Sequence, residues 1–192
     1  MSITIPAYKK KLPYKCVELP DFATSHEGRL YIGPMPGRYQ IMEDFYTWIH
    51  TEDINLVLCL TPYEEIENKS HEYYLDLQSD NFPVEFMQFP IEDFGAPRDD
   101  EKHGFFQLCN NIANDISTGK RVYLHCGAGI GRSGLMSFLI LRNIGVPAVK
   151  AKQQVRDAGG YPETDPQQDY LVWAENVIKS RMTISPVHLF NE

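Results

Sequence analysis

Residues 121–134 read RVYLHCGAGIGRSG. RVYLH (121–125) mixes branched and aromatic side chains in a run that reads as a strand buried in a sheet. Cys126 follows it, then three glycines (Gly127, Gly129 and Gly131), then Arg132 and Ser133 at the head of the apolar run SGLMSFLILRNIG (133–145). Strand, tight loop and helix form a geometry that aims several backbone N–H groups at one anion. The glycines permit the close approach and unusual dihedrals of such a cradle, and Ala128 and Ile130 leave its interior uncharged. Arg132 adds a planar, permanently charged fork suited to bidentate phosphate contact. Gly127 to Arg132 therefore reads as a phosphate nest with a thiol at its base. A free thiol titrates near about 8.5 and is weakly nucleophilic at neutral pH. A helix dipole gives at most about 2 kcal/mol towards a thiolate, so the loop amides, Arg132, the Ser133 hydroxyl and ordering by His125 must supply the rest.

Outward from this segment, strands alternate with helical patterns. GRLYIG (28–33), INLVLCL (54–60) and VEFMQFPI (84–91) read as further strands, and the uninterrupted apolar run at 54–60 fits one buried on both faces. Residues 40–52 carry Ile41, Phe45, Trp48 and Ile49 on one stripe. Phe105, Leu108, Cys109, Ile112, Ala113 and Ile116 recur at helical spacing, with Asp99 or Asp100 as its expected cap. Asp165-Pro166 opens a last helix, an N-cap followed by proline in the first turn, with Tyr170, Trp173, Ala174, Val177 and Ile178 on its apolar face. The expectation is an α/β fold: a single domain with a central, mostly parallel sheet flanked by helices. Residues 1–27 read as an N-terminal extension packed on that body, 28–182 as the domain itself and 183–192 as a C-terminal tail.

Composition excludes several classes of function. The 192 residues hold 18 Lys+Arg against 26 Asp+Glu, a net charge of -8. Duplex nucleic acid is bound mainly by phosphate neutralisation, which so acidic a chain supplies poorly, and anionic membrane surfaces are disfavoured likewise. No run approaches the roughly 20 apolar residues of a spanning helix, and the start, MSITIPAYKKKLPYK, lacks the apolar core of a signal peptide. Four scattered cysteines (Cys16, Cys59, Cys109 and Cys126) have neither paired nor metal-ligand spacing. A reduced, cytoplasmic monomer without metal or other cofactor is the expectation.

HCxxGxxRSG (125–134) resembles the signature of the cysteine-dependent protein tyrosine and dual-specificity phosphatases. Within that superfamily it resembles the branch that includes the cyclin-dependent-kinase-associated phosphatase. It implies in-line attack by Cys126 on a phosphomonoester, with Gly127, Ala128, Gly129, Ile130, Gly131 and Arg132 binding the phosphate and Ser133 and His125 serving the thiolate. FPIEDFGAP (89–97) resembles the acid loop of these enzymes, which makes Asp93 the general acid and Glu92 the runner-up. Parallel strands would bring that loop and the cysteine to the same sheet edge. In YPETDPQQDYLVW (161–173), Gln167 matches a glutamine that positions hydrolytic water, whereas Glu163 stands where the family has a second glutamine. Cys59 matches a position that forms a reversible disulfide with the catalytic cysteine in two related branches; its alternative is a small core hydrophobe. Cys16 and Cys109 read as packing residues.

A phosphorylated protein is the implied partner, phosphotyrosine first and phosphoserine or phosphothreonine second. A loop without lysine argues against a multiply phosphorylated lipid head. Arg38 and Arg98 are candidates for contacts beside the phosphate, weighed against plain solvated side chains. Two rivals stand: a phospho-reading pseudophosphatase, and an RNA 5′-triphosphatase, against which the acidity and Asp93 both argue.

Overall fold

The computed structural model describes residues 12–20, 27–79 and 82–184. Among them five strands form one sheet: β1 (Lys15–Val17), β2 (Arg29–Pro34), β3 (Leu56–Cys59), β4 (Glu85–Gln88) and β5 (Arg121–Cys126). Their spatial order is β1-β2-β5-β3-β4. β2, β5, β3 and β4 run parallel, and β1 adds antiparallel at one edge with Lys15 opposite Ile32 and Val17 opposite Leu30. The helices are α1 (Met42–Thr51), α2 (Tyr63–Lys69), α3 (His71–Leu77), α4 (Lys102–Ser117), α5 (Gly131–Ile144), α6 (Ala148–Asp157) and α7 (Asp165–Ile184). This is the α/β arrangement the alternating pattern implies.

Strand alternation divides the interior in two. Leu56, Leu58, Val122 and Leu124 point into a core shared with α4, α5, α6 and α7. Val57, Cys59 and Tyr123 point the other way, into an aromatic cluster with Phe45 and Trp48 of α1 and Tyr73 of α3. β3 is buried at every position, which explains its unbroken apolar run. In α5 every residue from Gly131 to Arg142 is buried, so the helix is enclosed between sheet and neighbouring helices. Its path is set by a contact no larger residue allows: a Cβ on Gly134 would lie 2.3 Å from the backbone nitrogen of Tyr161.

Several local expectations need correcting. Ile41 is 57% exposed at the N-cap of α1, and Met42 takes its place in the buried stripe. Glu101, not Asp99 or Asp100, occupies the N-cap of α4, without a side-chain cap bond; Asp99 instead pairs with Lys102 at 2.6 Å. Cys16 is exposed on the edge strand rather than packed, while Cys109 is buried as expected. Part of the supposed extension is integral to the sheet as β1, with Tyr14 buried against Trp48. Residues 1–11 and 21–26 of that extension, and 185–192 of the expected tail, lie outside the described residues. None of the described helices is long and apolar enough to cross a membrane.

Candidate active site

The parallel register brings the ends of four strands level: Pro34 lies opposite Cys126, and Cys59 opposite both His125 and Gln88. The segment leaving each strand turns over the same sheet edge, where open α/β sheets place their ligands. There a cavity of about 110 Å³ is lined by Arg38, Lys69, Asp93, Phe94, Cys126, Ala128, Gly131, Arg132, Glu163 and Gln167. A larger cavity of about 610 Å³ lies at the opposite sheet edge, between α1 and the segments entering β3 and β4. It has neither the cysteine nor the arginine.

Cys126 closes β5 and is 3% exposed. The Gly129 amide donates to its Sγ at 3.2 Å. That turn of the loop requires glycine, because Gly129 has φ of +79° and a Cβ would lie 2.3 Å from the Gly33 carbonyl carbon. The Ser133 hydroxyl is buried in the first turn of α5 with no partner among the described residues. His125 lies behind the cysteine, fully buried, its Nε2 2.9 Å from the Tyr73 hydroxyl and its Nδ1 3.4 Å from the Cys126 carbonyl. Burial drives its pKa down to about 3. The neutral ring satisfies both contacts when Nδ1–H donates to the carbonyl and Tyr73 O–H donates to Nε2. His125 therefore holds the start of the loop without contributing charge.

Arg132 is 3% exposed, and both its terminal nitrogens are engaged. Nη1 donates to Glu65 Oε2 at 2.7 Å and to the Ile91 carbonyl at 2.9 Å, while Nη2 donates to Glu65 Oε1 at 2.9 Å and to Asp93 Oδ1 at 2.7 Å. Lys69 joins the network, donating to Glu65 at 2.8 Å and to Asp93 at 2.9 Å. Burial works to raise the Glu65 carboxyl, but the bonds from Arg132 and Lys69 outweigh it and hold it below its ordinary range. Asp93 is likewise held low: burial opposes ionisation, but Lys69, Arg132 and the Phe94 amide favour it. In this resting arrangement Asp93 is a carboxylate held between two cations.

The glutamine segment is tied to the acid loop. Gln167, fully buried, accepts from the Glu163 amide at 2.8 Å and donates to the Gly95 carbonyl at 2.9 Å, and Thr164 Oγ1 donates to the Phe94 carbonyl at 2.9 Å. Glu163 lines the cavity beside Gly131, whose added Cβ would lie 2.4 Å from its Oε2. Cys59 lies one strand over, with its thiol 3.1 Å from Thr61 Oγ1 and burial pushing it up to about 12. It packs in the aromatic cluster while Cys126 belongs to the other core, and both thiols are free. Arg98 pairs with Glu101 and Asp100 and does not line the cavity.

Cys126, Ala128, Gly131, Arg132, Asp93 and Gln167 are thus brought to one cavity. His125, Ser133 and Cys59 do not line it but surround the cysteine's strand and helix, and Glu92 points out to solvent. Sequence reasoning missed Glu65 and Lys69. Their only signal is an acidic residue and a lysine four apart on the short helix that follows β3.

The chain matches the family model PTP-SAK, "Swiss Army Knife protein, DSP-PTPase phosphatase domain", over residues 38–182, and it belongs to that family. It is similar in fold to a kinase associated phosphatase (KAP) whose catalytic cysteine is replaced by serine. The TM-score is 0.65 at 17% identity, covering 94% of this chain and 100% of that one. It is also similar to Tk-PTP in its active form, with a TM-score of 0.61 at 22% identity over 84% of this chain and 97% of that one. A 52-residue stretch is 42% identical to "Putative tyrosine phosphatase 067L" of Invertebrate iridescent virus 3. That match covers 27% of this chain and 22% of the viral protein.

Proposed function

We propose that the chain hydrolyses phosphomonoesters on protein side chains, phosphotyrosine first and phosphoserine or phosphothreonine second, through a cysteinyl-phosphate. The observation that carries this is the Cys126 sulfur at the cavity base, already accepting a loop amide, with the Arg132 fork beside it. In the first step Sγ bonds to phosphorus as the bond from phosphorus to the leaving oxygen breaks, and Asp93 gives its proton to that oxygen. Loop amides and Arg132 hold the equatorial oxygens, where charge accumulates. In the second step water attacks phosphorus, Asp93 takes its proton, and the S–P bond breaks to return the thiolate, with the buried Ser133 hydroxyl donating to the sulfur. Gln167 orients that water by exchanging its bond to Gly95 for one to the water.

The resting ion pairs order these events. Asp93 must be protonated to act as an acid, yet Lys69 and Arg132 hold it ionised. An incoming phosphate takes over Arg132, and the dianion beside the carboxyl favours its protonated form. Phe94, 61% exposed on the cavity wall, offers an aromatic face to a phenyl leaving group. Cys59 is proposed as a redox partner of Cys126, since β3 and β5 are adjacent. A bridge requires the start of the loop to turn, and absence of a linked peptide pair after mild peroxide would refute it.

Turnover of p-nitrophenyl phosphate by wild type, Cys126→Ser and Asp93→Asn tests the main proposal. Activity should vanish in the first variant and fall by about 10²-fold or more in the second. A silent wild type that still binds phosphopeptide would make the chain a phospho-reading module, a reading to which Glu163 in the cavity lends support. Activity confined to RNA 5′-triphosphate ends would make it a triphosphatase.

A further inference from the structure

We infer that Arg38 forms a second anion subsite at the rim of this cavity, reading an acidic side chain next to the phosphorylated residue. The inference rests on the phosphatase assignment and narrows its substrate class.

The residue is held rigidly. Pro36 and Gly37 occupy the centre of a turn closed by the Arg38 amide donating to the Met35 carbonyl at 3.2 Å, and Gly37 has φ of +76°. Proline followed by a glycine at positive φ is the pattern of a type II turn. A Cβ on Gly37 would lie 2.3 Å from Ser70 Oγ, so the turn is seated against the segment that joins α2 to α3. The Met35 amide also donates to the Gly127 carbonyl at 3.3 Å, which ties the turn to the phosphate loop. Arg38 is thereby fixed relative to the base of the nest.

Its side chain is placed to receive an anion. A Cβ on Gly127 would lie 3.1 Å from Arg38 Nη1 and 3.2 Å from Arg132 Nη2, so the two guanidiniums bracket one glycine. They differ in what they touch. Arg132 is buried with both terminal nitrogens engaged, whereas Arg38 is half-buried and forms no ion pair among the described residues, in a chain with 26 acidic side chains. Glu65, the nearest carboxylate on Gly127's side, is already bound to Arg132 and Lys69. The Tyr39 ring lies 4.8 Å from the Arg38 guanidinium carbon and covers one face of it. Stacking of this kind orients the fork while leaving its edge N–H groups open to a carboxylate.

The phosphate occupies the base, at Cys126 and the loop amides. The next residue of a peptide lies about 3.8 Å further along its backbone, so its side chain meets the rim. A carboxylate there, or a second phosphate, has Arg38 as its partner, while the chain's net charge of -8 opposes acidic sequences everywhere else. One partly desolvated pair of this kind supplies a preference of about fivefold.

The test uses phosphotyrosyl peptides flanked on both sides by Glu, Ala or Lys. Binding to Cys126→Ser, with and without Arg38→Gln or Arg38→Lys, is measured by fluorescence anisotropy, alongside kcat/KM for the same Arg38 variants with Cys126 intact. Glu-flanked peptide should bind about fivefold tighter than Ala-flanked peptide. Arg38→Gln should bring that ratio to about one, Arg38→Lys should keep part of it, and added salt should shrink it. A ratio of one or less in the Arg38 form, or a ratio that survives Arg38→Gln, overturns the inference. So does turnover of phosphoinositide vesicles that exceeds every peptide and depends on Arg38. Acid-selective binding without turnover sinks the phosphatase assignment and keeps the subsite; turnover without acid selectivity does the reverse.

Discussion

Replacing Glu65 tests whether the arginine of the nest is aimed by a carboxylate outside it. Glu65 meets both terminal nitrogens of Arg132, at 2.7 and 2.9 Å, and the two side chains are 11% and 3% exposed. Removing one partner of a buried pair costs about 3–5 kcal/mol when nothing replaces it. Here Asp93 and the Ile91 carbonyl remain on Arg132, so Glu65→Ala should cost about 2–3 kcal/mol. At about 2–4 °C per kcal/mol for a chain of this size, the midpoint should fall by about 4–12 °C. Glu65→Gln keeps the shape and one acceptor and should cost about 1 kcal/mol, or 2–4 °C. Both variants leave the fork mis-aimed at the equatorial oxygens, where transition-state charge gathers, so kcat should fall by about 10²-fold, not KM alone. The sign of the pH dependence follows from Glu65 being held below its ordinary 4.5. Its stabilisation is present above that value and is lost as pH falls through the lower folded-state value. The melting difference between wild type and Glu65→Gln should therefore be full at pH 7 and shrink below about pH 4.5. Scanning fluorimetry and steady-state turnover of p-nitrophenyl phosphate measure both effects. A Glu65→Gln enzyme with kcat within twofold of wild type would refute the positioning argument, whatever its melting temperature.

Gly129→Ala should lower the melting midpoint by more than about 6 °C and abolish turnover, because strain at positive φ of about 1–2 kcal/mol adds to a backbone collision at 2.3 Å. Gly159→Ala is its control, with φ of +91° but open space around the added carbon, and should lose only about 2–4 °C per kcal/mol of that strain while retaining activity; equal behaviour of the two would refute the collision. Tyr73→Phe leaves the buried His125 Nε2 without its partner, so a loss of about 1–3 kcal/mol is expected, and an unchanged midpoint would disprove the pairing. Sulfate, an oxyanion that does not titrate in this range, should bind Cys126→Ser more tightly at pH 5 than at pH 7.5, because binding releases Asp93 from Arg132 and lets it take up a proton. Adding Asp93→Asn should flatten that dependence, and a pH-independent affinity before the addition would contradict the release.

The sequence disclosed those parts whose signal is local. The run at 121–134 announces its strand, loop and helix within one stretch, because a glycine-rich anion cradle has few other uses beside an arginine and a cysteine. INLVLCL shows a strand enclosed on both sides for the same reason: every residue of β3 is buried. α6 gives a weak apolar signal because only Ala151, Gln154 and Val155 of its ten residues are buried and none of them is a large apolar side chain, so its two-faced character comes from lysine, arginine and glutamine rather than from an apolar stripe. α2 and α3 are seven residues each and break at Ser70, whose φ of -157° is incompatible with a helix. Glu65 and Lys69 escaped for a different reason. Their role exists only once β3 and β5 lie side by side and deliver α2 onto Arg132, 67 residues away along the chain. Gln167 was found by position, but its present contacts, which tie the acid loop to the last helix, depend on tertiary proximity across 72 residues.

On the proposed function, the same geometry accounts for how an acidic chain would concentrate affinity for an anion. Each of the four parallel strands delivers one part: β2 leads to the turn bearing Arg38, β5 to the cysteine loop, β3 to Glu65 and Lys69, and β4 to Asp93. Around the cavity Arg38, Lys69 and Arg132 face Asp93, Glu163 and Glu65, so the formal charges balance, and at the base Arg132 and Lys69 are already held by Glu65 and Asp93 while Arg38 stays open at the rim. A singly charged carboxylate from solvent gains little at the base, since it would replace a carboxylate that Arg132 already holds. A phosphate dianion gains more, because it displaces Asp93 while also collecting the loop amides that Asp93 does not reach. Selectivity for the tetrahedral dianion would then come from fixed backbone donors plus one exchangeable carboxylate, and on the proposed mechanism that exchange readies Asp93 to donate its proton. On the proposed mechanism binding and acid catalysis are linked through Arg132, so its aim should matter more to turnover than the number of cations nearby.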